Sequence, residues 1–315
     1  MTTYHHISLL KPGEGGGGVE RFAAYLGRVI PDIQYISMGD FPERAALRAA
    51  NLPEYDWAIN LNTWLLNEGA LGKDSVVIVD GYWGLGLQGK VKRLISVCHG
   101  AYWGRFVQSQ VSGWGEVVGR DHVDKQSELW ESPGVDIVAV SEESRREVLY
   151  SCNSNYDPHV INNGVDTDLL CPISDIEPKT WMHAATSYRK GMGEIASLSA
   201  DHNIRIELMG PCKTLEDKAR RLNEATVFVQ PTHHEGNAYV LLEAMACGVP
   251  VLTYLTGAAH QFDERCGIVT DDLAPHNLAR KLRGFQRELY HPREWVLENA
   301  SLNKFCQQWK EFLGV

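Results

Sequence analysis

Residues 227–253 read VFVQPTHHEGNAYVLLEAMACGVPVLT, and the order of residue types within them decides the fold. Val227, Phe228 and Val229 make a short apolar run stopped by Pro231, as a buried strand would be. His233, His234, Glu235 and Gly236 form a polar loop. Residues 238–246 are rich in helix formers and end at Gly248-Val249-Pro250, a C-terminal stop, after which Val251, Leu252 and Thr253 resume a strand. Strand, tight loop, helix, turn and strand make one unit of a parallel α/β sheet. Two carboxylates lie inside it, Glu235 in the loop and Glu243 on the helix, with seven residues between them. Glu243 is flanked by Leu241, Leu242, Ala244 and Met245. A carboxylate in such surroundings needs a specific partner, because a bare buried charge is costly. A surface salt bridge would provide one; the density of apolar neighbours favours a ligand.

Outward from this stretch, the pattern repeats. Strands are expected at residues 4–10, 57–61, 76–79, 94–98 and 135–140 in the first half, and at 181–185, 204–209 and 267–270 in the second. Gly15, Gly16, Gly17 and Gly18 follow the first strand and lead into a helix with Phe22, Tyr25, Leu26 and Val29 on one face, a loop that lets a phosphate approach backbone N–H groups. The spacing fits neither a Walker loop nor the usual dinucleotide fingerprint, and a flexible loop without a ligand reads equally well. His99 stands at the carboxyl end of a strand, where an open parallel sheet faces its ligand crevice. Ser141 is placed to cap a helix, and Asp166-Thr167-Asp168 reads as a turn-capping segment rather than a metal-binding Asp-x-Asp. A helix is expected over 213–222 and an amphipathic one over 275–289; Trp295, Leu302, Phe305, Trp309 and Phe312 share a helical face near the C-terminus.

The 315 residues suggest about two domains. A formal net charge of −10 and the lack of a dense Lys/Arg cluster speak against a binder of nucleic-acid backbones. No apolar run approaches the ~20 residues of a membrane-spanning helix, and no basic-then-apolar leader opens the chain, so a cytoplasmic protein without a transmembrane segment is expected. Cys98, Cys152, Cys171, Cys212, Cys247, Cys266 and Cys306 are scattered and odd in number, which suggests neither a disulfide framework nor a zinc site. The pairs His5-His6 and His233-His234 lack further ligands at metal spacing. Tyr82, Trp83, Tyr102, Trp103 and Trp114 read either as core or as an aromatic platform for an acceptor.

Taken in order, these features resemble the retaining glycosyltransferases of the GT-B fold, specifically family four, which includes bacterial mannosyl- and glucosyl-transferases. The residues carrying the resemblance are EGNAYVLLEAMACGVP at 235–250, GGVER at 17–21, His99-Gly100, VDIVAVSEESRREVL from 135, INNGVD at 161–166 and Arg189-Lys190-Gly191. The resemblance implies an α/β protein of two Rossmann-like domains facing a central cleft. An acceptor-side domain would span 1–161, with a C-terminal helix at about 295–315 packing back on it, and a nucleotide-sugar domain would span 162–294. It implies His99, Glu235 and Lys190 as catalytic residues. Gly16, Gly17, Arg189, Lys190, Asn237, Ala238, Tyr239 and Glu243 would bind the donor: Glu243 at the ribose hydroxyls, Glu235 at the sugar, Lys190 at the diphosphate. The implied reaction moves a sugar from a nucleotide-sugar, a UDP-sugar favoured, with retention and with no metal or other cofactor. The acceptor stays open among a glycan, a small molecule and a modified nucleobase. Two departures stand out. Ala185 occupies the position where the family usually places an arginine, a charge that Arg189 would have to supply, and the segment 209–227 is short. They keep two other readings in view, a nucleotide-sugar epimerase of the same fold and a non-catalytic binding protein.

Overall fold

A computed structural model describes residues 2–14, 17–112, 119–152, 157–184, 187–272 and 274–315. The chain divides into two compact units, Met1–Ile161 with Cys306–Val315, and Asn162–Phe305.

The first unit carries a six-stranded sheet of β1 (Thr3–Ser8), β2 (Gln34–Ser37), β3 (Ser75–Asp80), β4 (Arg93–Cys98), β5 (Val135–Ala139) and β6 (His159–Val160). The order is β2-β1-β3-β4-β5-β6 and every pairing is parallel. All six residues of β3 are buried, as expected of a strand covered on both faces. The helix Gly18–Val29 buries Phe22, Ala23, Tyr25, Leu26 and Val29, the anticipated face. Ser141 caps the helix Glu142–Ser151, its hydroxyl accepting from the Ser144 amide at 3.1 Å.

Residues 57–61 are not a strand. They lie within the helix Glu54–Asn67, whose buried positions Ala58, Leu61, Asn62 and Leu65 follow the helical period. The alternating Trp57, Ile59 and Leu61 mimic a strand over five residues; the longer 3.6-residue period prevails. Fully buried Asn62 donates to the carbonyls of Trp83 and Leu85 at 2.8 and 2.9 Å.

The second unit carries β7 (Thr180–His183), β8 (Glu207–Leu208), β9 (Ala225–Gln230), β10 (Val251–Tyr254) and β11 (Gly267–Thr270), all parallel, in the order β11-β10-β9-β7-β8. The strand expected over 204–209 shrinks to the two residues of β8 at the sheet edge, where Leu208 stays 44% exposed and little apolar surface rewards a longer pairing. The stretch 227–253 forms as read: β9, a loop, the helix Tyr239–Ala246, a turn at Gly248 with φ +71°, and β10. The helix expected over 275–289 ends at Arg283.

The C-terminal segment is two helices, Pro292–Asn299 and Leu302–Leu313, so Trp295 does not share a helix with Phe305, Trp309 and Phe312. The break is held by Val165, which donates to the Ala300 carbonyl and accepts from the Leu302 amide at 2.9 and 2.8 Å. From Cys306 onward the chain belongs to the first unit, where Trp309 packs edge-on to Phe22 at 5.7 Å. Among the described residues no helix is long and apolar enough to cross a membrane.

Candidate functional site

In a doubly wound sheet, ligands bind beyond the carboxyl ends of the strands where the strand order reverses. In the second unit the reversal lies between β7 and β9. The segments following those strands carry Arg189 and Lys190 on one side and Glu235 on the other.

After β7 the chain makes a single 3-10 turn, Tyr188–Lys190, closed by Gly191 at φ +91°. A Cβ on Gly191 would stand 2.4 Å from the Pro231 carbonyl oxygen, so only glycine lets this turn seat against the end of β9. Two hydrogen bonds staple the segments together: the His233 amide donates to the Arg189 carbonyl at 3.0 Å, and the Arg189 guanidinium donates to the His234 carbonyl at 2.9 Å. The Lys190 ammonium pairs with Glu235, and Arg189 lies 3.7 Å from the same Oε1. The three side chains retain 27%, 22% and 16% of their surface for Lys190, Arg189 and Glu235.

Glu235 and its neighbours are buttressed from other loops. Gly257, at φ +52°, passes so close that a Cβ would lie 2.2 Å from the Glu235 carbonyl oxygen. The Ala258 amide donates to the Gly236 carbonyl at 2.8 Å, and the Asn163 side chain donates to the Asn237 carbonyl at 3.0 Å. Asn237 and Tyr239 are each 7% exposed, and Ala238 begins the helix with no side-chain cap. The first amides of a helix lacking such a cap favour an anion.

Glu243 is 1% exposed and has the specific partner its sequence context demands: Lys218, from the helix Leu215–Asn223, forms an ion pair with it. Lys218 is missing from the sequence reading, although a signal existed. It occupies the stripe of Leu215, Ala219 and Leu222, where a lysine is out of place unless it meets a buried charge.

His99 and Gly17 belong to the first unit. Gly17 precedes the helix Gly18–Val29 without a side-chain cap; Gly16 lies outside the described residues, as does Ala185. His99 follows β4 directly, and its Nε2 is 2.8 Å from Oδ1 of Asp80, the last residue of β3. The same oxygen lies 3.4 Å from Nε2 of His6 on β1. Burial acts to raise the Asp80 carboxyl; the charge and hydrogen bonds of His6, then of His99, outweigh it and hold Asp80 well below the usual carboxylate range. Sequence reading found His99 and missed its partner Asp80, 19 residues earlier in the chain, and the link from Asp80 to His6, 74 residues before it.

The aromatic residues divide. Tyr82 and Trp83 are core, 1% and 4% exposed, and Tyr102 stacks against both Tyr82 and His122, at 5.1 and 5.2 Å. Trp114 lies outside the described residues. Among the described residues no three His, Cys, Asp or Glu side chains are grouped to hold a metal ion, and the seven cysteines are unpaired.

Residues 158–287 match the family described as Glycosyl transferases group 1. No curated protein matches the sequence. Among solved structures, the sucrose-phosphate synthase of Thermosynechococcus elongatus superposes with a TM-score of 0.74 at 14% identity, covering 99% of this chain and 98% of its own. Anabaena HepE, solved in complex with UDP-glucose, gives 0.72 at 12% identity over 98% and 99%. WaaG, a glycosyltransferase involved in lipopolysaccharide biosynthesis, gives 0.68 at 14% identity over 98% and 99%. The chain therefore shares its two-sheet fold with these solved glycosyltransferases, and residues 158–287 are similar to the glycosyl transferases group 1 family.

Proposed function

We propose that the protein is a retaining, metal-independent glycosyltransferase that moves a sugar from a UDP-sugar to a hydroxyl-bearing acceptor. The observation that carries this reading is the Arg189–Lys190–Glu235 cluster beside the uncapped start of the helix Tyr239–Ala246. Breaking the bond between the anomeric carbon and the diphosphate puts negative charge on the leaving group. Fixed cations and helix amides stabilise that charge without reorganising. The diphosphate displaces Glu235 from Lys190, and the freed carboxylate accepts hydrogen bonds from the donor sugar. Glu243 accepts from the ribose hydroxyls while Lys218 balances its charge. HepE, which shares the fold, has been solved with UDP-glucose, with UDP, and with UDP and glucose, which supports uracil as the base of the donor.

The test is a thermal-shift panel of UDP-, GDP-, ADP- and dTDP-sugars, since a ligand that binds only the folded state raises its melting midpoint. A UDP-sugar should give the largest shift, unchanged by EDTA, and Lys190→Ala should weaken donor binding at least about tenfold, as expected for a lost charge-assisted contact. UDP release with sugar transfer should follow once an acceptor is supplied. If no nucleotide-sugar shifts the midpoint, or if the protein only interconverts free nucleotide-sugars, this reading falls.

A further inference from the structure

The first unit carries a cleft at the edge of its sheet, away from the point where the strand order reverses. That reversal lies between β1 and β3, whereas the cleft runs along β6, with β4 and β5 in between. Its volume is about 520 Å³, in the range of small-molecule sites. One wall is β6 and the other is the helix Leu302–Leu313, and every lining residue belongs to the first unit.

Glu311 and Phe312 stand three and four residues beyond Gln308, so the three share the helix face turned to β6. Arg93, the first residue of β4, reaches the same place. Its Nε donates to Asp136 at 2.5 Å, its Nη1 donates to the Phe312 carbonyl at 3.2 Å, and its guanidinium lies over the Phe312 ring at 4.5 Å. These contacts fix the guanidinium and leave Nη2 without a hydrogen bond among the described residues. The Gln308 amide makes none among them either. Glu311 accepts one at Oε1, from Gln307 at 2.9 Å, which leaves Oε2 open. On β6 the Ile161 amide donates to the Ala139 carbonyl of β5 at 3.0 Å; by the alternation of a strand, the N–H and C=O of Val160 face the free edge. His159 meets Phe312 edge-on at 4.8 Å, and the two rings supply an apolar wall.

Charge narrows what fits. Arg93 is balanced by Asp136 and Glu311 adds a negative charge, so a phosphate or carboxylate is disfavoured. One exposed carboxylate near a guanidinium is a weak seat for a cation. Donors remain at Arg93 Nη2, the Gln308 amide nitrogen and the Val160 N–H, alongside acceptors at the Gln308 oxygen, Glu311 and the Val160 carbonyl. A hydroxyl both donates and accepts, so neighbouring hydroxyls on an apolar skeleton match this set. We propose that the cleft is a carbohydrate-binding site that takes a neutral sugar ring at the β6 edge, separate from the nucleotide-sugar donor. The site stands whether or not the protein transfers sugars.

Titration of the nitrogen-15-labelled full chain with the methyl glycosides of glucose, galactose and mannose, followed by NMR, tests this. At least one glycoside should perturb the amides of β6 and of the helix Leu302–Leu313 with a millimolar Kd. Gln308→Ala should weaken that binding about tenfold, as expected for lost hydrogen bonds. Gln308→Trp, which fills the cleft, should abolish it, with urea midpoints confirming that both variants fold. Glucose 6-phosphate should bind there more weakly than methyl glucoside, and saturating UDP should leave the glycoside affinity unchanged. The proposal is overturned if no neutral glycoside perturbs these amides up to its solubility limit, if Gln308→Ala binds as the wild type does, or if the phosphorylated sugar binds more tightly. Competition by UDP would overturn the separation from the donor site.

Discussion

Lys218→Met is the most exacting perturbation of the second unit, because its size can be worked out in advance. Glu243 is 1% exposed and Lys218 15%, so the pair sits at the buried end of the range. Removing one partner of a buried ion pair costs about 3–5 kcal/mol. The destabilisation of Lys218→Met should therefore fall at about 3–5 kcal/mol at pH 7. Lys218→Met/Glu243→Gln should recover most of the loss at pH 7, because a neutral amide needs no counter-charge. Urea unfolding, followed by a probe in the second unit, measures both. A loss below about 1 kcal/mol for Lys218→Met, or a double variant no more stable than the single one, would show that the magnitude argued from burial is wrong.

Two further outcomes follow from the geometry. Gly191→Ala should destabilise the second unit by about 2 kcal/mol or more, since a left-handed residue gains a Cβ against the Pro231 carbonyl; urea midpoints read the loss, and an unchanged midpoint with unchanged UDP affinity would contradict the seating of the Arg189–Lys190 turn. Asp80 is held below its unfolded value near 3.9, so its stabilisation is present above about pH 4 and is lost as pH falls below that value. The stability gap between wild type and Asp80→Asn should accordingly narrow from pH 5 to pH 3; a constant gap would mean that the carboxyl is not depressed in the folded state.

The legible part of the molecule was local. Gly248-Val249-Pro250 ends a helix because a left-handed residue and a proline close it wherever they stand, and Ser141 caps because its hydroxyl reaches the next turn. The same locality misled at 57–61, where five alternating residues outweighed a fourteen-residue helical period. Among the site residues, Arg189, Lys190 and Glu235 could be named from short segments that bracket one sheet reversal. Lys218 could not be matched to Glu243, nor His6 to Asp80, because each pair is joined only through strand or helix packing.

By itself, the sequence determined most of the apolar strands, where glycine permits sharp turns, and that carboxylates at 235 and 243 stand in one strand–loop–helix unit. Only the tertiary structure decided which charge faces which. Ion pairing depends on distances of a few ångströms, and parallel strands separated by long crossovers set those distances through register. Thus Glu243 meets Lys218, Glu235 meets Lys190, and Asp80 meets two histidines from its neighbouring strands.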